Sequence, residues 1–168
     1  MARKVFYSFH FDGDCQRASQ VRNIGSLEDN KPIKDNDWEA LKKKGDAAVE
    51  KWIADQLYGR SCTVLLIGSA TANRKWINYE IAETWNEGKA ILGVRIHGLR
   101  DLNGDTSSSG KNPFDYVSIG TGSSKKLLSS IVKVYDPTIW LDSKATYKKI
   151  ADNLETWVED AIKLRGQY

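Results

Sequence analysis

Cysteine and histidine, the residues that build disulfides and zinc sites, are scarce in this sequence. Its 168 residues contain two of each: Cys15, Cys62, His10 and His97. The cysteines lie far apart and match no metal-ligand spacing, which excludes a disulfide framework and favours a reducing, cytoplasmic environment. Two isolated histidines also exclude most zinc sites that this chain could form alone, so no metal site is expected.

Long apolar runs and concentrated basic charge are also absent. No segment approaches the roughly 18–20 consecutive apolar residues that cross a bilayer. Residues 1–5 lead directly into a strand-like run and lack the apolar core of a signal peptide. The formal charge is +3, and the lysines and arginines are spread along the chain rather than gathered as in nucleic-acid-binding domains. Neither a membrane nor a nucleic acid is therefore expected as a partner.

Several phosphate-handling motifs are missing as well. No Gly-x-Gly-x-x-Gly occurs, which makes a Rossmann dehydrogenase an unlikely class of protein. Residues 104–111 have one residue too many between their glycines for a P-loop, and Asn112 stands where Ser or Thr is required. The predicted central strand ends in Gly68 and Ser69, where a response regulator would need its phosphoacceptor aspartate.

Strand and helix patterns alternate along the chain. Apolar or β-branched runs predict strands, and apolar residues at helical spacing predict helices. The strands are expected at residues 4–9, 62–67, 90–96 and 130–135, with a weak additional strand near 21–27. The helices are expected at residues 12–22, 46–58, 73–87 and about 142–165, with a helical turn around Trp38 and Leu41.

This alternation predicts one α/β domain over residues 1–168. Parallel strands joined by helices require right-handed crossovers, which place helices on both faces of a sheet. The pattern favours a flavodoxin-like, doubly wound and mainly parallel sheet of five strands. Residues 98–124 are rich in Gly, Ser, Asn and Asp and are expected to form a long loop or an insertion. Asp46, and Asp142 or Ser143, are expected to cap helices.

The first candidate for chemistry is the pair Trp76 and Glu80. Four residues on a helix correspond to a rotation of roughly 40°, so both side chains point the same way. In open parallel sheets ligands bind outside the carboxyl ends of the strands, and this helix begins beside such an end. A carboxylate there can bind ribose hydroxyls and stabilise positive charge at an anomeric carbon. Spacing alone, however, favours a solvated or ion-paired Glu80.

The segment after the first strand offers further candidates. Phe9 or Phe11 can stack on a base, and Asp12 or Asp14 can bind a hydroxyl group. Alternatively, one of these aspartates caps the next helix and the aromatic rings belong to the core. His10 has no Ser, Cys or acidic partner at a catalytic spacing, which favours a structural role.

The turn at residues 68–74 precedes the helix of Trp76 and Glu80. Its small and hydroxylated residues, among them Ser69, can let backbone N–H groups face a phosphate. The same composition also makes a plain turn and helix cap, and the two alternatives stay open.

Three segments together resemble TIR domains. Residues 4–9 are similar to their opening strand, and residues 67–71 are similar to their central strand. Residues 74–81 are similar to their Trp-x-x-x-Glu helix. The extended opening, with Arg17 and residues 20–23, resembles a bacterial and archaeal TIR-like branch that includes the ThsB proteins of the Thoeris antiphage system.

The resemblance implies an enzyme that cleaves the nicotinamide–ribose bond of NAD, with Glu80 as its essential glutamate. A glutamate with the ordinary pKa of about 4.3 is ionised at neutral pH, as this role requires. NAD is then the substrate, and no cofactor is expected. The residues expected to bind the substrate are Ser8, Phe9, His10, Asp12, Ser69 and Trp76.

The resemblance also implies partners. Thoeris TIR proteins form cyclic ADP-ribose isomers that activate a separate NAD-depleting effector, and a phage-derived trigger switches them on. Attack by water instead would give linear ADP-ribose. TIR domains also self-associate, and many act as protein-interaction scaffolds without turnover. That non-catalytic role is the alternative hypothesis.

Overall fold

The computed structural model describes residues 3–29 and 35–168. The strands in this part of the chain are β1 (Val5–Phe9), β2 (Cys62–Ile67), β3 (Ala90–Arg95), β4 (Ser118–Ile119), β5 (Lys126–Leu127) and β6 (Val134–Tyr135). The helices are α1 (Phe11–Arg22), α2 (Asp35–Lys43), α3 (Asp46–Leu57), α4 (Lys75–Asn86) and α5 (Ser143–Arg165). Every helix expected from the sequence is present, and the expected turn around Trp38 and Leu41 is helix α2.

The main sheet is parallel, with the strand order β1-β2-β3-β6. Val5 pairs with Cys62, which in turn pairs with Ala90. Strand β2 is buried at all six positions, as expected for a central parallel strand covered on both faces. The doubly wound α/β class predicted from the sequence is confirmed.

The sheet has four strands rather than the five expected, because the segment near residues 21–27 forms no strand. The first residues of this segment are the last residues of α1, and the chain then turns at Gly25, which has a φ of 77°. What remains is a single parallel bridge, in which Val5 N–H donates to the Glu28 carbonyl over 2.8 Å. Among the described residues, strand β1 is therefore the edge strand of this sheet.

Helices cover both faces of the sheet. On one face α1 and α5 pack on β1, β2 and β3 through apolar side chains such as Ala18, Val21, Val64, Leu92, Ile150, Leu154 and Val158. On the other face α4 packs on β2 and β3, and α3 packs on Phe6 of β1. The core thus has two layers, and the α3–α4 layer lies next to the carboxyl end of β1.

The starts of α3 and α5 differ from each other. Asp142 caps α5 as expected, because its carboxylate accepts a hydrogen bond from the Ala145 N–H over 2.9 Å. The expectation that Asp46 caps α3 is wrong: Gly45 occupies that position, with φ of 103°. Asp46 instead forms a 2.6 Å ion pair with Lys75 at the start of α4. This pair links the two helices beside the edge strand.

The long loop at residues 98–124 is anchored to the core. Its short 3₁₀ helix Pro113–Tyr116 buries Phe114 completely against the α4 side of the sheet. Gly93 of β3 leaves room for this ring, since a Cβ there would lie 3.1 Å from Phe114 Cε2. Beyond it, β4 and β5 form a small antiparallel pair.

The first half of that loop lies over the carboxyl ends of β2 and β3. Gly110 packs on the peptide after β2, because an added Cβ would be 2.5 Å from the Gly68 carbonyl oxygen. Arg95, the last residue of β3, donates to the Ser109 carbonyl over 2.6 Å. From α1, buried Arg17 donates to the carbonyls of Leu99 and Asp105 over 2.9 and 2.7 Å. The ends of the central strands are therefore covered.

None of the helices within residues 3–29 and 35–168 combines the length and the apolar character needed to cross a bilayer.

Candidate functional site

A cleft of about 290 Å³ opens at the carboxyl end of β1. Its walls come from the β1–α1 segment, α2, α3 and the start of α4. Six of the seven side chains predicted to form the site line this cleft: Ser8, Phe9, His10, Asp12, Trp76 and Glu80. The structure therefore brings together two segments that lie about 70 residues apart in the sequence.

Glu80 faces inward from α4. It lies on the buried stripe of this helix with Ile77, Ile81 and Thr84, and only 6% of it is exposed. The Thr84 hydroxyl accompanies it, donating to the Glu80 backbone carbonyl over 2.7 Å. Within the described residues no cation forms an ion pair with Glu80. The solvated or ion-paired glutamate favoured by spacing alone is therefore wrong.

Ser8 supplies the polar partner of Glu80. It is 2% exposed near the end of β1, and its hydroxyl donates a hydrogen bond to Glu80 Oε2. Alternation along the strand sends Ser8 and Phe6 to the face covered by α3 and α4, whereas Tyr7 belongs to the opposite core. This bond joins β1 to α4 inside the protein.

Burial changes the acidity of Glu80. It raises the pKa of the carboxyl group to about 8, and the hydrogen bond from Ser8 acts in the opposite direction. The Glu80 carboxyl is therefore mostly protonated at pH 7, contrary to the ionised state expected from its ordinary pKa. A positive charge within about 4–6 Å would lower that pKa again.

Aromatic rings form much of the cleft wall. Phe9 and Phe11 stack with centroids 5.7 Å apart and planes 20° apart, and both are half-buried. Trp76 of α4, also half-buried, contacts the Tyr79 ring edge-on at 5.5 Å. Phe9 also packs against the core, so the two sequence-based alternatives for it, core and ligand contact, are compatible.

The sequence interpretation missed several residues of the cleft. Helices α2 and α3 contribute Trp38 and Trp52, whose centroids lie 5.7 Å apart. Four cations also line it: Arg22, Lys42, Arg74 and Lys75. Arg74 and Lys75 could have been included from the sequence, because they directly precede Trp76. No sequence pattern placed α2 beside β1.

The cations differ in their partners. Lys75 pairs with Asp46 at 2.6 Å, Lys42 with Glu39 at 2.8 Å, and Arg22 with Asp29 at 2.9 Å. Arg74 has no carboxylate partner among the described residues, and its Nε donates to the Ala70 carbonyl over 2.6 Å. Arg74 thus brings a positive charge to the cleft that no described acid neutralises.

His10 and Asp12 lie where β1 meets α1. His10 occupies the N-cap position of α1 without a capping hydrogen bond from its side chain. Burial and the nearby Arg74 charge lower the pKa of His10, which favours the neutral form of its imidazole. Asp12 is exposed in the first turn of α1 and lines the cleft. Neither Asp12 nor Asp14 caps the helix.

Asp14 has a structural position instead. It is 3% exposed and accepts a hydrogen bond from the Thr71 hydroxyl over 3.3 Å. It packs so closely on the end of β2 that a Cβ at Gly68 would lie 2.2 Å from its Oδ1. Burial raises the pKa of Asp14, and the Thr71 hydrogen bond opposes that rise. Asp14 therefore fastens α1 to the turn after β2.

Ser69, the seventh predicted residue, is exposed and does not line the cleft. Its carbonyl lies under Gly110 of the long loop, where an added Cβ would be 2.9 Å away. The turn is closed by the Gly68 N–H, which donates to the Thr71 hydroxyl over 2.8 Å. The geometry favours the plain turn over the phosphate-facing loop.

Two comparisons with known proteins agree with this geometry. The family model for the TIR-like domain of the Thoeris protein ThsB matches residues 6–101, which include every side chain named above as lining the cleft. The chain is also 37% identical over 133 residues to ThsB1 of Bacillus cereus (strain MSX-D12). That stretch covers 76% of this chain and 69% of the relative, whose name proposes a cyclic ADP-D-ribose synthase. The family predicted from the sequence is confirmed.

Proposed function

The chain belongs to the ThsB family of TIR-like proteins, and on that premise we propose that it is an NAD-processing enzyme of antiphage defence. It cleaves the nicotinamide–ribose bond of NAD and closes the remaining ADP-ribose into a cyclic signal. The observation that carries the proposal is the buried Glu80 carboxyl, which faces the aromatic cleft at the end of β1.

The composition of the cleft fits a dinucleotide. Its aromatic rings offer flat surfaces for nicotinamide and adenine, and its cations suit the two phosphates between them. Arg74, which has no acidic partner among the described residues, is the strongest candidate for the pyrophosphate. Phe9 of the β1–α1 segment and Trp76 of α4 are the candidates for ring contacts.

Glu80 stabilises the charge that develops when the bond breaks. The bond between ribose C1′ and the nicotinamide nitrogen breaks, and nicotinamide leaves with both electrons, which neutralises its ring. The sugar is left with oxocarbenium character at C1′, which a carboxylate nearby stabilises in a site shielded from water. The positive ring of bound NAD lowers the pKa of Glu80, so the carboxyl ionises when it is needed.

The second half of the reaction decides the product. When a nucleophile of the ADP-ribose itself attacks C1′ and releases its proton, the product is a cyclic ADP-ribose. When water attacks instead, linear ADP-ribose forms. The cyclic product is proposed here because the relative's name refers to a cyclic ADP-D-ribose synthase.

The proposed role includes partners outside this chain. The cyclic product activates a separate NAD-depleting effector, a phage-derived molecule triggers catalysis, and copies of the chain associate. An effector gene adjacent to the gene for this chain would support the signalling role.

The test measures nicotinamide and cyclic ADP-ribose after incubation with NAD, with and without lysate of phage-infected cells. Wild-type protein should release nicotinamide at least in the presence of the lysate. Glu80→Gln should abolish this release, whereas the matched control Glu87→Gln, at the exposed end of the same helix, should retain it. Activity that survives Glu80→Gln would overturn the proposal, and silence of the wild type under both conditions would favour a scaffold.

A further inference from the structure

Ser8 is almost inaccessible to a ligand, although it lies near the carboxyl end of β1. Only 2% of the residue is exposed, and its hydroxyl donates to Oε2 of the Glu80 carboxyl group. The hydroxyl proton therefore points at Glu80 rather than into the open part of the cleft. This geometry differs from the substrate contact expected of Ser8 from the sequence.

The Glu80 carboxylate depends on this one donor. Within residues 3–29 and 35–168, no other group donates a hydrogen bond to the Glu80 side chain. A buried carboxylate without a donor carries an uncompensated desolvation penalty. Three side-chain torsions also leave a glutamate several orientations unless a partner selects one.

We propose that Ser8 is a positioning residue for the reaction: its hydroxyl holds the Glu80 carboxylate toward the cleft and supports its ionised form. The inference rests on the proposed function of Glu80. Ser8 acts through Glu80 and does not touch the substrate.

No charged neighbour can replace Ser8 in this role. The titratable and charged side chains lining the same cleft are His10 and Asp12 from the β1–α1 segment, Arg22, Lys42, Arg74 and Lys75, whereas the Tyr7 side chain belongs to the opposite core. None of them contacts the Glu80 carboxylate by a hydrogen bond or an ion pair in the described residues. Helix α3 adds Trp52 to the cleft lining, but no charge.

Removal of the Ser8 hydroxyl should change both the ionisation and the orientation of the Glu80 carboxyl group. A hydrogen bond to a charged group contributes enough to shift a titration by about one to two pH units. In Ser8→Ala the Glu80 carboxyl should therefore titrate at higher pH, because its ionised form has lost support. The acid limb of the pH profile of kcat/KM should also shift to higher pH. At pH 7 kcat/KM should fall about 10-fold, through a lower kcat rather than a higher KM.

Two measurements test the proposal. The first is the titration of the Glu80 carboxyl carbon by NMR in glutamate-labelled protein, assigned from the signal that Glu80→Gln removes. It requires no turnover. The second is the pH profile of nicotinamide release in the presence of infected-cell lysate. The variants are Ser8→Ala, Ser8→Thr, which restores the hydroxyl, and Ser19→Ala, an exposed control on α1.

We expect both midpoints to rise in Ser8→Ala, to return toward wild type in Ser8→Thr, and to be unchanged in Ser19→Ala. Unchanged midpoints and kcat in Ser8→Ala would overturn the inference while leaving the proposed function intact if Glu80→Gln is inactive. Activity in Glu80→Gln would instead overturn the proposed function itself. If Ser8→Ala does not fold, Ser8→Cys takes its place, because a thiol of similar size is a weak donor and should raise both midpoints.

Discussion

The ends of β1 and β2 lie side by side in the sheet, and each has a buried carboxyl group beside it. At the end of β2, Asp14 packs on Gly68 and accepts a hydrogen bond from the Thr71 hydroxyl. Near the end of β1, Glu80 has one donor, Ser8, and lines an open cleft. Burial raises the pKa of both groups.

A buried carboxyl group with a raised pKa therefore does not by itself mark a site of chemistry. Asp14 fixes α1 to the turn after the central strand and does not line the cleft. Glu80 lines the cleft, and it is burial that disfavours its ionised form; a positive charge placed nearby would favour that form again. Four predictions distinguish the end of β1 from the end of β2, and they are given in order of decreasing expected effect.

The largest effect concerns the pH dependence of stability caused by Glu80. The folded protein raises the pKa of Glu80 to about 8. The contribution of Glu80 to the free energy of unfolding is therefore complete below about pH 4.5 and is lost as pH rises through 8. The free energy of unfolding should fall by up to about 3–5 kcal/mol over this range. Urea unfolding from pH 5 to pH 9 measures it.

The control for this prediction is Glu80→Gln, which cannot ionise. The variant should be more stable than the wild type at pH 9, and the two should converge toward pH 5. Asp14 is present in both proteins, so its own titration cancels in the difference. Parallel stability curves for the two proteins would contradict the buried, protonated state of Glu80.

The second prediction concerns the end of β2. Gly68→Ala should cost about 2–3 kcal/mol of unfolding free energy, because the new Cβ meets the Asp14 carboxyl group and the packed turn cannot yield. Gly13→Ala in α1 is the matched substitution beside the cleft, where the nearest atom to a Cβ is 3.5 Å away. It should instead be neutral or stabilising, since alanine favours helix. Equal thermal shifts for both variants would contradict this contrast.

The third prediction concerns Arg17, which holds the loop over β2 and β3. Arg17→Ala should lower the unfolding free energy by about 2 kcal/mol, because the buried hydrogen bonds of a charged group are lost. Hydrogen exchange should increase in residues 99–105, whereas the affinity of the cleft for ADP-ribose should not change. Reduced affinity without faster exchange would indicate that the two strand ends are not independent.

The smallest effect concerns Arg74 at the cleft. Arg74→Ala should weaken the binding of ADP-ribose about 10-fold, because a charge-assisted contact with phosphate is lost. Calorimetry with ADP-ribose and with nicotinamide riboside, which has no phosphate, separates this contribution from ring contacts. Lys51→Ala, at an exposed position of α3, is the control. An equal loss of affinity for both ligands would show that Arg74 does not contact the phosphates.

Much of the architecture was predictable because local patterns dominate there. The buried run Cys62–Ile67 forms the predicted central strand, and the inward stripe of α4 follows from Ile77, Ile81 and Trp85. The weak strand predicted near residues 21–27 does not form, because a polar segment with a turn at Gly25 cannot sustain the hydrogen-bond ladder of a sheet. A single bridge at Glu28 remains in its place.

The candidate site was predictable in part. Helical phase placed Trp76 and Glu80 together, and the strand-end rule brought them near Ser8 and His10. Ser69 does not line the cleft, because it lies in a turn on which Gly110, about 40 residues later in the sequence, packs. Trp38 and Lys42 were missed, since only packing brings α2 beside the edge strand.

The α/β class, the family and the importance of Glu80 follow from the amino-acid sequence alone, because periodicity and motifs are local and do not depend on distant contacts. Only the tertiary structure decided that Glu80 is buried, that Ser8 is its donor, and that its carboxyl group is protonated at neutral pH. The physical reason is that desolvation and hydrogen bonding depend on every element packed around a group. Helical phase gives the direction of the Glu80 side chain, but not what surrounds it.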